Sequence, residues 1–96
     1  MTKAEIAANI ADKTGLERVE VQSVLDCFMK EVKRSMANGN NVYLRGFGSF
    51  VVKMREKKTG RNISENTSIV IPAHHIPYFK PCKSFIDEIR ARVPVV

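Results

Sequence analysis

The apolar residues of this chain change their spacing once, at Asn38-Gly39-Asn40: they recur every three or four positions before it and at close to every second position after it. Those are the periods of a helix and of a half-buried strand, so a helical N-terminal part must give way to a β-rich remainder. Ninety-six residues amount to a single domain of the α+β class, which excludes a multidomain enzyme. At 44% hydrophobic and 27% charged, the composition is that of a folded chain, which excludes a disordered tail.

Thr2-Lys3-Ala4-Glu5 has capping-box spacing, in which the hydroxyl and the carboxylate each satisfy a free N–H at a helix start. Ile6 and Ile10, beside Ala7 and Ala11, continue that helix to Gly15. A second helix is predicted from about Arg18 to Asn38, striped by Val21, Val24, Leu25, Phe28, Met29, Val32 and Met36 and stopped by Gly39. Val42-Tyr43-Leu44, Phe47 to Lys53, and Ile69-Val70-Ile71 read as strands of a three-stranded antiparallel sheet. The polar, basic stretch from Met54 to Ser68 has a turn signal at Thr59-Gly60-Arg61-Asn62, which makes residues 53–74 a long β-hairpin arm. Pro72 and Pro77 are expected where its second leg leaves regular pairing. Pro81 favours a helix start, and Phe85, Ile89 and Val93 stripe a short C-terminal helix over 81–93, ending before Pro94. The single domain thus divides into a helical base (1–40), a sheet with its arm (41–80) and the last helix (81–93).

Two parts of this plan are energetically incomplete. The outer half of the arm holds almost nothing apolar, although legs of about ten residues project it roughly 30 Å. The broad stripe of the second helix, with Phe47, Phe50 and Phe79, exceeds what a chain of this size covers by itself, since it buries only about 60–70% of its surface alone. Dimerisation through that helix and the sheet is the economical solution.

Charge locates the partner. Net charge is +6, with sixteen Lys and Arg against ten Asp and Glu. Residues 1–44 carry six of each sign, and Arg90 and Arg92 cancel Asp87 and Glu88 beyond residue 83. The whole excess lies in residues 45–83, where eight basic groups face only Glu56 and Glu65. A chain made basic for solubility has no reason to segregate its charge in this way, so an anionic partner is expected.

The remaining sequence features are restrictive. Lys3 and Glu5 interrupt any apolar leader, and no apolar run approaches the roughly 18 residues of a membrane span, so a soluble cytoplasmic protein with no membrane partner is expected. Cys27 and Cys82 are too few and too far apart for a disulfide framework or a zinc site, even with His74 and His75 nearby; no metal or cofactor is implied. Cys27 reads as a small buried residue of the second helix. No Ser/His/Asp, Cys/His or paired-carboxylate arrangement stands by a Gly-rich loop, so no catalytic residues, no enzyme and no small-molecule substrate are expected.

The densest signal is Arg55-Glu56-Lys57-Lys58-Thr59-Gly60-Arg61-Asn62 at the end of the hairpin. Alternation across a ribbon puts Arg55, Lys57 and Arg61 on one side and Lys58 and Asn62 on the other. A two-stranded ribbon fits a DNA groove, and Arg, Lys and Asn suit phosphates and the acceptor-rich floor of an A·T minor groove. Exposed lysines also guard strands against aggregation, which suffices for Lys57 alone but not for the cluster. An RNA-binding role, or an arm that docks on an acidic protein, would use the same residues.

Gly46-Phe47-Gly48-Ser49-Phe50, Gly60-Arg61-Asn62, Ile71-Pro72-Ala73 and Pro77-Tyr78-Phe79-Lys80-Pro81-Cys82-Lys83, in this order and spacing, resemble the bacterial HU/IHF family of histone-like DNA-bending proteins, and HU more closely. The resemblance covers essentially the whole chain. It implies an intertwined dimer, of identical chains or with a related one, that wraps duplex DNA with two minor-groove arms, shows little sequence preference and associates with the nucleoid. It further implies groove contacts from Arg55, Lys58, Arg61 and Asn62, and phosphate contacts from Lys80, Lys83 and, less directly, Lys3; Lys53 and Arg45 complete the basic set. Phe47, Phe50 and Phe79 are core in the family.

The chain departs from the family at three places. Ile63 stands where most relatives have a Pro that wedges between base pairs; isoleucine also acts as a wedge but lacks the rigid ring. Glu65-Asn66-Thr67 brings an acid to the far side of the tip. Cys82 replaces a frequent Gly, which makes Lys83 the surer phosphate contact. His74 and His75 are expected at the foot of the arm on opposite faces, solvated, with a pH-sensitive phosphate contact as the alternative.

Overall fold

The computed structural model describes residues 1–62 and 67–95; for 60–62 and 67–69 it describes the course of the backbone. Helix α1 (Lys3–Thr14) begins where the Thr2 hydroxyl accepts the Glu5 N–H at 3.2 Å, and ends at Gly15, whose φ of +77° lets its own N–H reach the Ala11 carbonyl at 2.9 Å. Helix α2 (Arg18–Ala37) stops at Asn38, and Gly39 follows in the left-handed region. The two helices meet through small residues: Ala7 and Ala11 of α1 and Val21 of α2 are 2%, 6% and 4% exposed, with Ile10 and Leu25 packed around them.

The β half holds β1 (Val42–Leu44), β2 (Gly48–Arg55), β3 (Lys58–Asn62), β4 (Thr67–Ile71) and β5 (His74–Pro81), followed by α3 (Lys83–Arg92). Strands β1, β2 and β5 form a three-stranded antiparallel sheet in that spatial order, and β3 pairs β4 as a separate ribbon. The α+β plan of two helices, sheet, arm and last helix is as expected from the sequence, but the third strand of the sheet is not: Ile69-Val70-Ile71 pairs with β3 in the arm ribbon, and β5, a segment not read as a strand, completes the sheet.

Three local expectations are corrected. Pro77 does not end pairing: it lies inside β5 opposite Val52. The strand is an edge of its sheet, where a residue without an N–H can point its nitrogen side to solvent. Pro81 closes β5 opposite Gly48 and starts no helix; α3 begins at Lys83 behind an extended Cys82, whose N–H donates to the Phe47 carbonyl at 3.0 Å. At its other end α3 stops at Arg92, because Val93 precedes Pro94 and adopts the extended backbone that a following proline imposes. Cys27 is exposed, not buried: it flanks the apolar stripe of α2, beside Val24 and Phe28.

A four-phenylalanine cluster joins the sheet to α3, with Phe79 at its centre: ring centroids lie 4.9 Å from Phe50, 5.0 Å from Phe47 and 6.4 Å from Phe85. The cluster is nonetheless open, as is the outer stripe of α2, where Val24 is 67% and Phe28 42% exposed. The chain exposes 8312 Å², whereas a compact monomer of 10.8 kDa exposes about 5,500 Å². Its radius of gyration is 19.0 Å, against about 12.5 Å for a compact domain of 96 residues.

Candidate nucleic-acid interface

The register of β2 against β5 sorts the sheet into two unlike faces. Residues paired across an antiparallel ladder share a face, and successive residues alternate. Pairs Ser49↔Lys80, Val51↔Tyr78, Lys53↔Ile76 and Arg55↔His74 therefore form one face; Phe50↔Phe79, Val52↔Pro77 and Met54↔His75 form the other. The second face carries the phenylalanine cluster. The first carries three strong cations, Lys53, Arg55 and Lys80, all exposed. Lys53 Nζ lies 4.5 Å from the Tyr78 ring centroid, a cation–π contact that steadies the side chain without neutralising it.

The same register continues into the arm. Pairing runs to Arg55↔His74, lapses at Glu56-Lys57 and Pro72-Ala73, and resumes at Lys58↔Ile71. Two residues are skipped on each leg, so the alternation of faces carries on across the gap. Pro72 explains the interruption: it has no N–H to donate at that point of the ladder. Pro72 thus leaves regular pairing as expected, and Arg61 and Asn62 take register positions opposite Ser68 and Thr67 on the ribbon. Ile63 and Glu65 lie outside the described residues.

Tight backbone packing sets the sheet's near end. Gly46, with φ of +83°, turns β1 into β2 and leaves Arg45 exposed on the turn. Asn41 extends the sheet past short β1: its side-chain carbonyl accepts the Val52 N–H at 2.9 Å. Lys83 opens α3, is 92% exposed in its side chain, and stands 3.4 Å from Asp87. Lys3 differs from the other candidates. Its ammonium is 2.7 Å from Asp26 of α2, which ties the two helices together and leaves this lysine already paired. Among the described residues Arg45, Lys53, Arg55, Lys58 and Lys80 have no acidic partner within ion-pair distance.

Cys82, between Lys80 and Lys83, has its thiol held below the usual cysteine range, first by the Ser84 hydroxyl at 3.2 Å and then by the Phe85 N–H at the start of α3. Ser49 and Tyr78 belong to the basic face but are not expected there from sequence, whereas His74 and His75 take opposite faces at the foot of the arm as expected. The alternation His74, Ile76, Tyr78, Lys80 against His75, Pro77, Phe79, Pro81 is visible along the chain; two prolines in that segment argued against a strand and hid it.

A sheet that is basic on one face and apolar on the other, joined to a two-stranded ribbon, has the form of a nucleic-acid-binding protein of the kind that reads its target with β-strands. The chain belongs to the family described as "Bacterial DNA-binding protein", whose model matches residues 1–90. It is 37% identical over 90 residues to DNA-binding protein HU of Thermus thermophilus, covering 94% of this chain and 93% of that protein. It is also 32% identical over 94 residues to the integration host factor subunit alpha of Proteus mirabilis, covering 98% and 96% of the two chains. Among solved structures, an Anabaena HU–DNA cocrystal structure superposes with a TM-score of 0.86 at 30% identity, covering 98% of this chain and all of that one. HU from Thermotoga maritima superposes with a TM-score of 0.65 at 25% identity, over 93% and 98% of the chains.

Proposed function

We propose that this chain is a histone-like architectural protein. It binds duplex DNA through minor-groove arms with little sequence specificity, bends and compacts it, and catalyses no reaction. The observation that carries this reading is the basic face of β2 and β5, whose register is kept into the arm. Affinity comes from Lys and Arg displacing condensed counterions, with Lys53, Lys80, Lys83 and Arg45 on phosphates, Arg55, Lys58, Arg61 and Asn62 in the groove, and Lys3 in a lesser role. The minor groove has a degenerate code, so these contacts discriminate weakly between sequences.

The working unit is an intertwined dimer, of two copies or with a related chain. The surface excess of about 2,800 Å² per chain over a compact monomer, which includes the arm, leaves room for the roughly 1,000–2,500 Å² that an obligate interface buries on each partner. Its place is the nucleoid, in the cytoplasm; no helix among the described residues is long and apolar enough to cross a membrane.

A gel-shift titration against duplex DNA at several salt concentrations tests the reading. The logarithm of the binding constant should fall linearly and steeply with the logarithm of salt, by about 0.9 per phosphate neutralised. A flat response overturns it. Tighter binding to structured RNA of equal length would move the function to RNA.

A further inference from the structure

We propose that His74 makes DNA binding proton-linked: the arm's foot takes up a proton as it closes on a phosphate, so affinity rises as pH falls through the neutral range. The inference rests on the DNA-binding reading above and adds its regulation.

The geometry is specific to this histidine. His74 is exposed, lies on the basic face directly opposite Arg55, and occupies the last rung before the ladder lapses. Its Nδ1 is 3.0 Å from the Pro72 carbonyl oxygen. A carbonyl can only accept, so that contact places the ring's hydrogen on Nδ1. Nε2 of the neutral ring is then a bare lone pair, on the face that carries Lys53 and Arg55. A phosphate oxygen can only accept, so it finds no partner there until Nε2 is protonated. Proton uptake creates a donor and a charge in one step, while Nδ1 keeps its bond to Pro72.

The charged groups around the ring make the effect depend on DNA. Arg55 stands opposite on β2 and Lys53 is next along the same face; Glu56 and Lys57 lie in the unpaired gap across from Pro72-Ala73, and the neighbouring His75 is on the other face. Among the described residues no carboxylate occupies a paired position on the face of His74 and none is within ion-pair distance of it, so an added positive charge has no protein partner there. An incoming phosphate supplies one. His75, opposite Met54 on the apolar face and beside Lys33 and Pro77, is not presented to the same ligand and serves as the internal control.

Isothermal titration calorimetry of the full chain with a short duplex, in two buffers of unlike ionisation enthalpy near neutral pH, measures the proton directly. The expected result is net uptake of a fraction of a proton per chain, abolished in His74→Gln and retained in His75→Gln. Affinity at about pH 5.5 should exceed that at about pH 8 by on the order of tenfold at constant salt. His74→Lys should bind at the higher pH as tightly as the unmodified chain does at the lower, with no uptake. Binding without uptake, uptake that survives His74→Gln, or uptake lost in His75→Gln each overturns the inference while leaving DNA binding in place. Failure to bind duplex at either pH overturns the underlying reading instead.

Discussion

Gly48 lies so close under the Lys80 carbonyl that a Cβ built on it would stand 2.5 Å from that oxygen and 2.6 Å from the Phe79 ring. The contact couples the start of β2 to the residue that presents a cation at the end of β5. Gly48→Ala should therefore lower stability by about 1–3 kcal/mol in urea unfolding and also displace Lys80, weakening DNA binding. Gly39→Ala provides the contrast. Its Cβ would meet open space, but its φ of +84° strains any side chain, so stability should fall by about 1–2 kcal/mol with DNA affinity unchanged. Equal affinity in both variants would mean that the Gly48 contact does not position the cation.

The exposed stripe of α2 predicts that folding and association are one equilibrium. The urea midpoint should rise with protein concentration, by about 1.4 kcal/mol of apparent stability for each tenfold increase. Phe28→Glu places a charge among Val24 and Cys27 on that stripe and should shift sedimentation towards monomer or unfolded chain. A concentration-independent midpoint would show that the monomer is stable with its apolar face open.

Much of this was legible in the residues because it depended on local rules. Thr2, Gly15 and Gly39 bound the helices as capping chemistry dictates, and the segregated charge marked the span that carries the basic face. What sequence reading missed depended on neighbours distant in the chain. Pro77 is tolerated in β5 only because β5 is an edge, and edge position is a property of the assembled sheet. Cys27 has the character of a core residue yet flanks a face of α2 that is left exposed. The pairing of Lys3 with Asp26, 23 positions away, is likewise not visible in a spacing pattern.

That pairing separates two lysines with the same nominal role. Lys80 has no acidic partner among the described residues, whereas Lys3 must leave a 2.7 Å contact with Asp26 before it can serve a phosphate. Lys80→Ala should weaken binding to all sequences alike and reduce the salt slope by about one per chain, while Lys3→Ala should change it much less. Asp26→Asn should bring Lys3 closer to Lys80 in effect. Equal slopes for the two alanine variants would show that Lys3 is recruited despite its ion pair.

Ile63 is proposed as the wedge that kinks the duplex in place of the usual proline. Energy transfer between labels at the two ends of a duplex reports the bend. Ile63→Asp should reduce it strongly and Ile63→Val only slightly, because an apolar side chain of similar shape still unstacks a base step at a cost of a few kcal/mol and a carboxylate does not. If both variants bend DNA as the unmodified chain does, residue 63 is not inserted.

The Cys82 thiol gives a prediction in pH. Ser84 and the Phe85 N–H stabilise the thiolate, so the thiol loses its proton at lower pH than an ordinary cysteine. Below that midpoint the rate of alkylation follows the thiolate fraction, and removing a hydrogen bond to the thiolate raises the midpoint. In a Cys27→Ser background, where Cys82 alone reacts, Ser84→Ala should move the alkylation profile to higher pH and slow the reaction several-fold near neutrality. Ser84→Thr, which keeps a hydroxyl at the same place, should restore most of the rate. If the alanine and threonine variants share one profile, the Ser84 hydroxyl is not what activates the thiol, and the backbone N–H groups at the start of α3 are left as the cause.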